Sequence, residues 1–246
     1  MNSIYEQNFQ IDDSCVDRFD RMKPSAILLL AQEAAGHHCD LLRLDYATMS
    51  QQQLFWAISR HRVQITRLPM RGETIRLETW PMPTTRVAFP RSVVAYDEDG
   101  NECFRSVSLW VLMDCNSRNM ILPGKSGIVL SGTVRGTELA APSSLAPAKS
   151  RNLGKRKVAF TDLDKNGHMN NTRCMDWISD LLPSAFHHDH PVKEFTICYL
   201  SEAREGQVLG LHWDFLQENV AQVDAYRANP ETEKDERVFS VRIQFD

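Results

Sequence analysis

The sequence contains no long apolar run, and over its 246 residues the charges nearly balance, leaving a net charge of −4. A transmembrane helix needs about 20 consecutive apolar residues, so we expect no membrane insertion. A small negative charge also gives no basis for nucleic-acid binding, which requires a positive surface. The remaining composition, 42% hydrophobic and 24% charged, is typical of an ordinary globular protein.

Cysteine is scarce, and no two cysteines have the short spacing of a paired motif. The chain has six cysteines, at Cys15, Cys39, Cys103, Cys115, Cys174 and Cys198. This scatter predicts neither a disulfide framework nor a zinc site, and it indicates reduced thiols. Residues 1–13 also lack the basic start and apolar core of a signal peptide. The sequence therefore predicts a cytoplasmic protein.

Two polar clusters resemble metal-binding sequences. The run His187–His190 has three histidines but no second cluster of ligands, so we predict a loop after Pro183. The run Asp97–Asn101 lies between two strand patterns and lacks the terminal glutamate of a calcium loop. We therefore predict a hairpin turn there.

The hydrophobic pattern of the first half predicts one helix followed by an antiparallel meander. Apolar residues recur at helical spacing from Pro24 to His38. Strands are expected from 57 to 65, from Thr74 to Trp80 and on both sides of the 97–101 turn. In the first of these strands, the side chains expected to face inward are Ala57, Ser59, His61, Val63 and Ile65.

The second half repeats this order. A helix ending at Pro183 is predicted, and alternating strands follow at 195–199, 209–215 and 239–245. Segments 71–74 and 205–208 correspond, since each ends one strand and opens the next, which indicates an internal repeat. The residues predicted on one face of the helix are Cys174, Met175, Ile178, Leu181 and Leu182.

The two halves are expected to be joined by a linker. After Pro123 the periodic pattern dissolves, and Ala140–Ala148 has the small, polar character of an exposed linker. We predict an N-terminal half at 1–125, a linker at 126–151 and a C-terminal half at 152–246. Residues 17–23 of the first half contain neither the asparagine nor the histidine of the second, so one catalytic site per chain is expected.

The most informative segment spans residues 160–171. Asp164, Asn166 and His168 alternate, so in an extended segment their side chains would emerge on the same side. Asn170 or Asn171 can cap the following helix, whose first N–H groups would suit an oxygen that becomes negative during acyl transfer. Because Gly167 also interrupts the segment, we predict that this polar site lies on a loop at the helix start.

The letters DLDKNGHMNN, followed by CMDWISDLLP, resemble the acyl-acyl-carrier-protein (acyl-ACP) thioesterase family. The pattern of that family is Asp-x-Asn-x-His, then Asn-Asn and a helix containing tryptophan. The resemblance extends through most of the chain, at residues 5–9, 55–56, 72–73 and 199–202. It implies an α+β double hotdog fold, in which two tandem half-domains each wrap an antiparallel sheet around a central helix.

The resemblance also implies hydrolysis of fatty acyl-ACP to free fatty acid and ACP, which ends elongation. Glu202 falls at the position of a catalytic glutamate of the family, and the N-terminal half would supply the acyl pocket. The implied partner is acyl carrier protein, and no cofactor is needed because water and positioned polar groups suffice. A double hotdog pairs its halves within one chain, so a monomer and a homodimer both remain open.

Plant relatives have a cysteine after that glutamate, whereas this chain has Ala203. The nearest thiol, Cys198, has the opposite strand parity to the inward positions. We therefore expect chemistry based on carboxylates, in which Asp164 attacks the thioester or works with Glu202 to activate water. Asn166 and His168 would then orient the reacting groups.

Docking of an acidic carrier protein requires a basic patch. The candidate residues are Arg60 and Arg62 on one strand face, and Lys155, Arg156 and Lys157 shortly before the motif. An acyl-CoA thioesterase, a hotdog dehydratase and a noncatalytic acyl- or ACP-binding protein are the alternatives to an acyl-ACP thioesterase. The length, saturation and branching of the acyl chain stay open.

Overall fold

The computed structural model describes residues 3–136, 139–228 and 234–246. The chain divides between Pro142 and Ser143 into two compact units. Among the described residues, none of the helices combines the length and apolar character that a membrane span requires.

The N-terminal unit is built on one antiparallel sheet. Its strands follow the order β1-β3-β4-β5-β2, and the short β6 pairs with β5. The elements are β1 (Tyr5–Gln10), α1 (Pro24–Leu41), α2 (Tyr46–Gln51), β2 (Leu54–Ile65), β3 (Thr74–Pro81), β4 (Phe89–Tyr96), β5 (Glu102–Asp114) and β6 (Met120–Ile121).

The predicted first helix is confirmed. It begins at Pro24, whose fixed φ and missing N–H suit the first turn of a helix. The helix packs on β1 and β3, and its small alanines allow a close approach to the sheet. The buried side chains of this face include Ile27, Leu28, Ala31, Ala34, Ala35 and His38.

The predicted alternation in β2 holds only in the second half of the strand. His61, Val63 and Ile65 are buried, and Gln64 between them is exposed. Before His61 the register shifts at a β-bulge between Ile58 and Arg60, and the side chains there are all half-buried. A bulge breaks the period of two, and an apolar pattern alone does not reveal it.

The predicted turn between β4 and β5 is confirmed as a hairpin. The Asp97 carboxylate accepts the backbone N–H groups of Asp99 and Asn101 at 3.1 and 2.8 Å. Gly100 has φ of +83°, a backbone conformation that glycine adopts without strain.

The C-terminal unit repeats this topology. Its strand order is β7-β9-β10-β11-β8, which matches β1-β3-β4-β5-β2 position by position. The elements are β7 (Asn152–Lys157), α3 (Arg173–Ser179), α4 (Ser184–Asp189), β8 (Val192–Tyr199), β9 (Val208–Gln217), β10 (Val220–Ala228) and β11 (Asp235–Phe245). The order of the paired strands confirms the internal repeat.

Corresponding turns make corresponding hydrogen bonds. The Gly72 N–H donates to the Ile11 carbonyl at 2.8 Å, and the Gly206 N–H donates to the Val158 carbonyl at 2.9 Å. Both glycines have positive φ, +87° and +82°. The predicted equivalence of segments 71–74 and 205–208 is therefore confirmed.

Two predictions around the second helix are wrong: its end at Pro183 and the loop at 187–190. Helix α3 ends at Ser179, and the Leu181 and Leu182 N–H groups donate to the carbonyls three residues before them. The residue before a proline disfavours helical backbone, so the helix does not reach Pro183. The segment 187–190 lies mostly in helix α4. Phe186 anchors this helix by packing on Phe245, with the ring centroids 5.0 Å apart.

The segment from 126 to 151, described except at 137 and 138, contains neither helix nor strand. The boundary between the two units lies within it. The expectation of an exposed linker is only partly correct, because Leu139, Pro142 and Leu145 are buried. These apolar side chains fix the course of the segment without regular secondary structure.

Candidate active site

Residues 164–168 form a tight turn closed by the Asp164 carboxylate. Its Oδ1 accepts the backbone N–H groups of Asn166 and His168 at 2.8 and 3.1 Å. The Asp164 N–H donates to the His168 carbonyl at 2.8 Å, and Gly167 has φ of +75°. This geometry places Asp164 and His168 on the two sides of the turn.

The motif forms the expected loop, and because its backbone is not extended the three side chains do not emerge on one side. The motif folds back on itself, and the Asn166 side chain is exposed, with its Nδ2 3.5 Å from Asp164 Oδ2. The Asn166–Gly167 dipeptide is a strong turn signal.

His168 and Glu202 meet across two segments. The His168 Nε2 lies 3.2 Å from Glu202 Oε2, and the two side chains are 18% and 43% exposed. A backbone bridge between His168 and Arg204 fixes the approach, and the Met169 N–H donates to the Ala203 carbonyl at 2.8 Å. The structure thus brings together Asp164, Asn166 and His168 in one turn, with Glu202 against the imidazole.

Arg227 of β10 supports the turn that carries Glu202. Its Nη1 donates to the Glu202 carbonyl at 2.8 Å and to Gln207 Oε1 at 2.9 Å. Its Nη2 donates to Ser201 Oγ at 3.2 Å and also pairs with Glu236. No sequence pattern indicates this role, because Arg227 lies 25 residues beyond Glu202.

The start of α3 differs from the prediction. Asn170 Oδ1 accepts the Thr172 N–H at 3.0 Å, and the Arg173 N–H donates to the Asn170 carbonyl at 3.0 Å. Asn170 therefore orders the entry to the helix, as expected of one of the two asparagines. These bonds, however, occupy two of the backbone donors that we expected to remain for an oxyanion.

A buried carboxylate missed by the sequence reasoning joins this turn to α3. Asp162 is 7% exposed, accepts the Trp177 indole N–H at 3.2 Å and accepts the Ala159 N–H at 2.9 Å. Trp177 is 1% exposed. Its large apolar surface and its bond to Asp162 hold the chain just before the 164–168 turn against the helix.

The N-terminal unit contains the same turn without the same chemistry. Asp17 Oδ1 accepts the N–H groups of Phe19 and Arg21 at 2.8 and 3.1 Å, and the Asp17 N–H donates to the Arg21 carbonyl at 2.8 Å. Asp20, with φ of +59°, takes the position of the glycine. Phe19 and Arg21 thus stand where the second copy has asparagine and histidine.

The sequence comparisons agree with this division into two related units. Residues 2–122 match the acyl-ACP thioesterase N-terminal domain, and residues 146–246 match the acyl-ACP thioesterase C-terminal domain. The chain belongs to the acyl-ACP thioesterase family. It is 27% identical over 199 residues to the chloroplastic dodecanoyl-[acyl-carrier-protein] hydrolase of Cinnamomum camphora, covering 75% of this chain and 52% of that protein. The chain spans about half the length of the curated relatives it matches.

Solved structures share the fold of this family member. An acyl-ACP thioesterase from Bacteroides thetaiotaomicron superposes with a TM-score of 0.90 at 22% identity, over 100% of this chain and 98% of that one. The 12:0-ACP thioesterase from Umbellularia californica superposes with a TM-score of 0.82 at 21% identity, again over 100% of this chain and 98% of that one. These likenesses confirm the predicted double hotdog fold.

The two cysteines in the C-terminal unit of this family member, Cys174 and Cys198, are poorly placed for nucleophilic attack. Cys198 is 2% exposed, and its Sγ lies 3.7 Å from the Ser143 carbonyl oxygen. Burial raises the pKa of Cys174 to about 12, so its thiol stays protonated at neutral pH. Ala203 is itself buried at 3%. The expectation that carboxylates carry the reaction stays a prediction.

The candidate docking residues differ in their surroundings. In the N-terminal unit, Arg60 and Arg62 are half-buried, and Arg60 donates to the Pro142 carbonyl at 3.5 Å. In the C-terminal unit, Lys155 and Lys157 are exposed on one face of β7. Arg156 points the other way, pairing with Asp180 at 2.6 Å and covering the Trp177 ring at 4.9 Å.

The histidine tract uses its ring nitrogens within the protein. His187 Nε2 lies 2.8 Å from the Ser179 carbonyl oxygen, and His190 Nδ1 lies 3.1 Å from that of Phe186. Over the ranges that the structure describes, no three His, Cys, Asp or Glu side chains are grouped to hold a metal ion.

Proposed function

We propose that this family member is an acyl-ACP thioesterase, which hydrolyses fatty acyl-ACP to free fatty acid and ACP and so terminates elongation. The observation that carries the proposal is the contact of His168 with Glu202, beside the turn that Asp164 closes. Membership of the family through both halves of the chain supports the choice of thioester and carrier.

Glu202 and His168 are the acid–base pair in this proposal. In this scheme the imidazole carries its proton on Nε2, which faces Glu202 Oε2 at 3.2 Å, and Nδ1 is the nitrogen that accepts a proton. His168 takes a proton from water through Nδ1 as the water oxygen attacks the thioester carbon. The carbon–sulfur bond then breaks, and His168 returns the proton to the departing ACP thiolate.

Asn166 and Asp164 have different tasks in the same scheme. The exposed Asn166 carboxamide has an N–H group that can donate to the thioester oxygen as negative charge develops on it. Asp164 holds the turn through Oδ1. Direct attack by Asp164 on the thioester is the alternative route, because among the described residues its Oδ2 is engaged only by the 3.5 Å contact with Asn166.

The N-terminal unit is proposed to supply the acyl pocket. A cavity of about 470 Å³ opens between the end of α1, α2 and residues 126–131. Half of its lining residues are apolar, and these suit an aliphatic chain. The apolar side chains that line it are Leu42, Leu44, Pro81, Ile128, Val129 and Leu130.

Location and partner belong to the proposal as well. All six cysteines are free thiols in the structure, which supports a reducing, cytoplasmic setting. Acyl carrier protein is the proposed partner, and the exposed Lys155 and Lys157 are the best placed of the candidate docking residues. Monomer and homodimer remain equally compatible with this proposal.

The test is release of free fatty acid from a panel of acyl-ACP and acyl-CoA substrates matched in chain length. We expect turnover with acyl-ACP, a lower kcat/KM with acyl-CoA, and a loss of at least about a hundredfold in kcat for Glu202→Gln. Comparable efficiency on both carriers would favour an acyl-CoA thioesterase. Binding of acyl-ACP with no turnover would favour a noncatalytic acyl-binding protein.

A further inference from the structure

The C-terminal unit has an exposed surface that combines apolar and basic side chains. Leu153, Lys155 and Lys157 are exposed at alternate positions of β7, so they share one face of the strand. Val208 is the cross-strand partner of Lys157, lies on the same face and is exposed. Phe160, shortly after the strand, is 77% exposed. These five residues form the β7 surface.

The two copies of the fold differ at this surface. Lys157 pairs with Val208 in the ladder as Gln10 pairs with Thr74 in the other copy. In chain order, the residues of the N-terminal unit that correspond to the β7 surface are Glu6, Asn8, Gln10, Asp13 and Thr74. None of these is apolar or basic, and two are acidic. The fold therefore forms without the apolar and basic side chains of the second copy.

The contrast is greatest at Phe160. Its counterpart Asp13 is an exposed carboxylate that pairs with Arg71 at 3.2 Å, as suits a turn in water. Single exposed apolar residues are common in soluble proteins, but a cluster of them on one face indicates an interaction site. Phe160, Val208 and Leu153 form such a cluster, and each replaces a polar residue of the first copy.

The backbone that carries Phe160 is fixed on both sides. Phe160 begins a short 3-10 helix that ends at the buried Asp162. The Asp162 carboxylate accepts the Ala159 N–H at 2.9 Å, and the Phe160 carbonyl accepts the Leu163 N–H at 3.2 Å. The ring is therefore presented to solvent from an ordered turn, and little backbone freedom is lost when a partner covers it. Aromatic side chains are enriched at the cores of protein interfaces.

The β7 surface adjoins the candidate active site through one turn. The Gln207 carbonyl accepts the Val158 N–H at 2.9 Å, directly after the last residue of β7. At the other end of the same turn, Arg204 forms a backbone bridge with His168. A protein bound to the β7 surface would therefore present a tethered thioester beside the candidate site.

The charge of the surface indicates the sign of the partner. Within the described ranges, Lys155 and Lys157 form no ion pair, whereas Arg156 on the opposite face is paired with Asp180. The chain as a whole has a net charge of −4. Unpaired lysines around an apolar centre thus favour a partner that is more acidic than the chain itself.

We propose that the β7 surface docks acyl carrier protein, with Phe160 as the apolar anchor and the two lysines pairing with carboxylates of the carrier. This inference rests on the proposed function. Covering Phe160 and Val208 supplies affinity, because removal of apolar surface from water is favourable and is not screened by salt. The lysines orient the carrier and accelerate its association.

Docking is measured without turnover by isothermal titration of the full chain with dodecanoyl-ACP in which an amide replaces the thioester. We expect Phe160→Ala to raise Kd by about tenfold, by the same factor at low and at high salt. Phe160→Tyr keeps the ring and should retain most of the affinity. The matched control is Val87→Ala, which truncates an exposed apolar residue of the N-terminal unit and should leave Kd unchanged.

Hydrolysis distinguishes carrier docking from an effect on the thioester itself. The two substrates are dodecanoyl-ACP and the dodecanoyl thioester of N-acetylcysteamine, which lacks the carrier protein. Phe160→Ala should lower kcat/KM for dodecanoyl-ACP about tenfold more than for the small thioester, through KM. Equal losses on the two substrates would overturn the proposal.

Three further outcomes would also overturn it. One is an unchanged Kd in Phe160→Ala, and another is an equal rise of Kd in Val87→Ala. The third is a wild-type dimer in sedimentation that Phe160→Ala dissociates without a change in carrier affinity, which would assign the surface to a second copy of the chain. If the wild type hydrolyses no thioester but binds the carrier through Phe160, the proposed function is refuted and the docking surface stands.

Discussion

Asp164 uses one carboxylate oxygen to close its turn, and this leaves only Oδ2 for chemistry. Asp17 closes the corresponding turn in the other half with the same bonds, although that copy has phenylalanine and arginine in place of asparagine and histidine. Closing the turn is therefore a folding role that a carboxylate can hold without any reaction. The residues that separate the copies chemically are Asn166, His168 and Glu202.

Asp164→Asn tests whether Oδ2 has a second role. Asparagine keeps an oxygen that accepts the two backbone N–H groups, so the turn should form. We expect kcat to fall at least about a hundredfold, because a nucleophilic or basic oxygen is lost. Turnover and thermal unfolding are measured together.

Asp17→Asn is the matched control for this substitution. It changes the same bonds in the copy without the motif, so its effect on unfolding should resemble that of Asp164→Asn while kcat stays near wild type. Equal, small losses of activity in both variants would show that Asp164 serves the fold alone.

His61 affects stability through its protonation. It is buried on β2, neither ring nitrogen has a hydrogen-bond partner among the residues that the structure describes, and burial lowers its pKa from 6.5 to about 4. Between these values the unfolded chain binds a proton that the folded chain does not. The free energy of unfolding therefore decreases as the pH falls from about 6.5 to 4, by on the order of 3 kcal/mol.

His61→Phe should remove this part of the pH dependence, because it keeps a ring of similar size without a titrating group. Urea unfolding at pH 7.5 and pH 4.5 measures the difference for both proteins. We expect the free energy of unfolding to fall less in the variant than in the wild type. An identical fall in both would mean that His61 does not contribute.

At the scale of the elements, prediction from sequence succeeded where the signal is local. Helix α1 and the hairpin at 97–101 follow from apolar periodicity and turn chemistry. Strand β10 was missed because Gln222 and Asp224 are buried within it. Their partners lie far along the chain, since Gln222 donates to the Ala146 carbonyl and Asp224 accepts the Ala148 N–H.

The same distinction explains the candidate site. The motif at 164–168 was found because its residues are contiguous, but its backbone conformation depends on Gly167, whose positive φ makes a turn in which the alternating side chains do not share one side. The position of Glu202 came from the resemblance. Arg227 was missed because no sequence pattern links a strand residue to a turn 25 residues earlier.

Arg227→Met should lower kcat by about tenfold to a hundredfold, because the Glu202 carbonyl loses its support and catalysis is sensitive to small displacements. The matched control is Arg242→Met. Arg242 of β11 donates to Gln222 Oε1 at 3.1 and 2.8 Å and does not contact the 201–207 turn.

Steady-state kinetics and thermal unfolding of both variants separate positioning from stability. A loss of kcat confined to Arg227→Met assigns it a positioning role. Parallel losses of kcat and stability in the two variants would contradict that role.

At the scale of the whole molecule, a net charge of −4 opposes binding of an acidic carrier. Reversing Lys155 and Lys157 together to glutamate should raise KM for acyl-ACP by about fivefold to tenfold at low salt, and the effect should shrink at high salt because exposed charges are screened. Hydrolysis of a small acyl thioester should not change. Lys125→Glu, on an exposed residue of the N-terminal unit, is the control, and an equal rise in KM there would remove the β7 lysines from docking.

The repeated turn has a further consequence for how the chain can vary. Under the proposed function, substitutions at residues 17–21 are limited by folding alone, whereas those at 164–168 are limited by folding and by the reaction. In a library of variants selected for fatty-acid release, fewer substitutions should be tolerated at 164–168 than at the equivalent positions 17–21. That difference measures the constraint that activity adds to the constraint of folding. The first copy of the turn is thus an internal reference for the second within a single polypeptide.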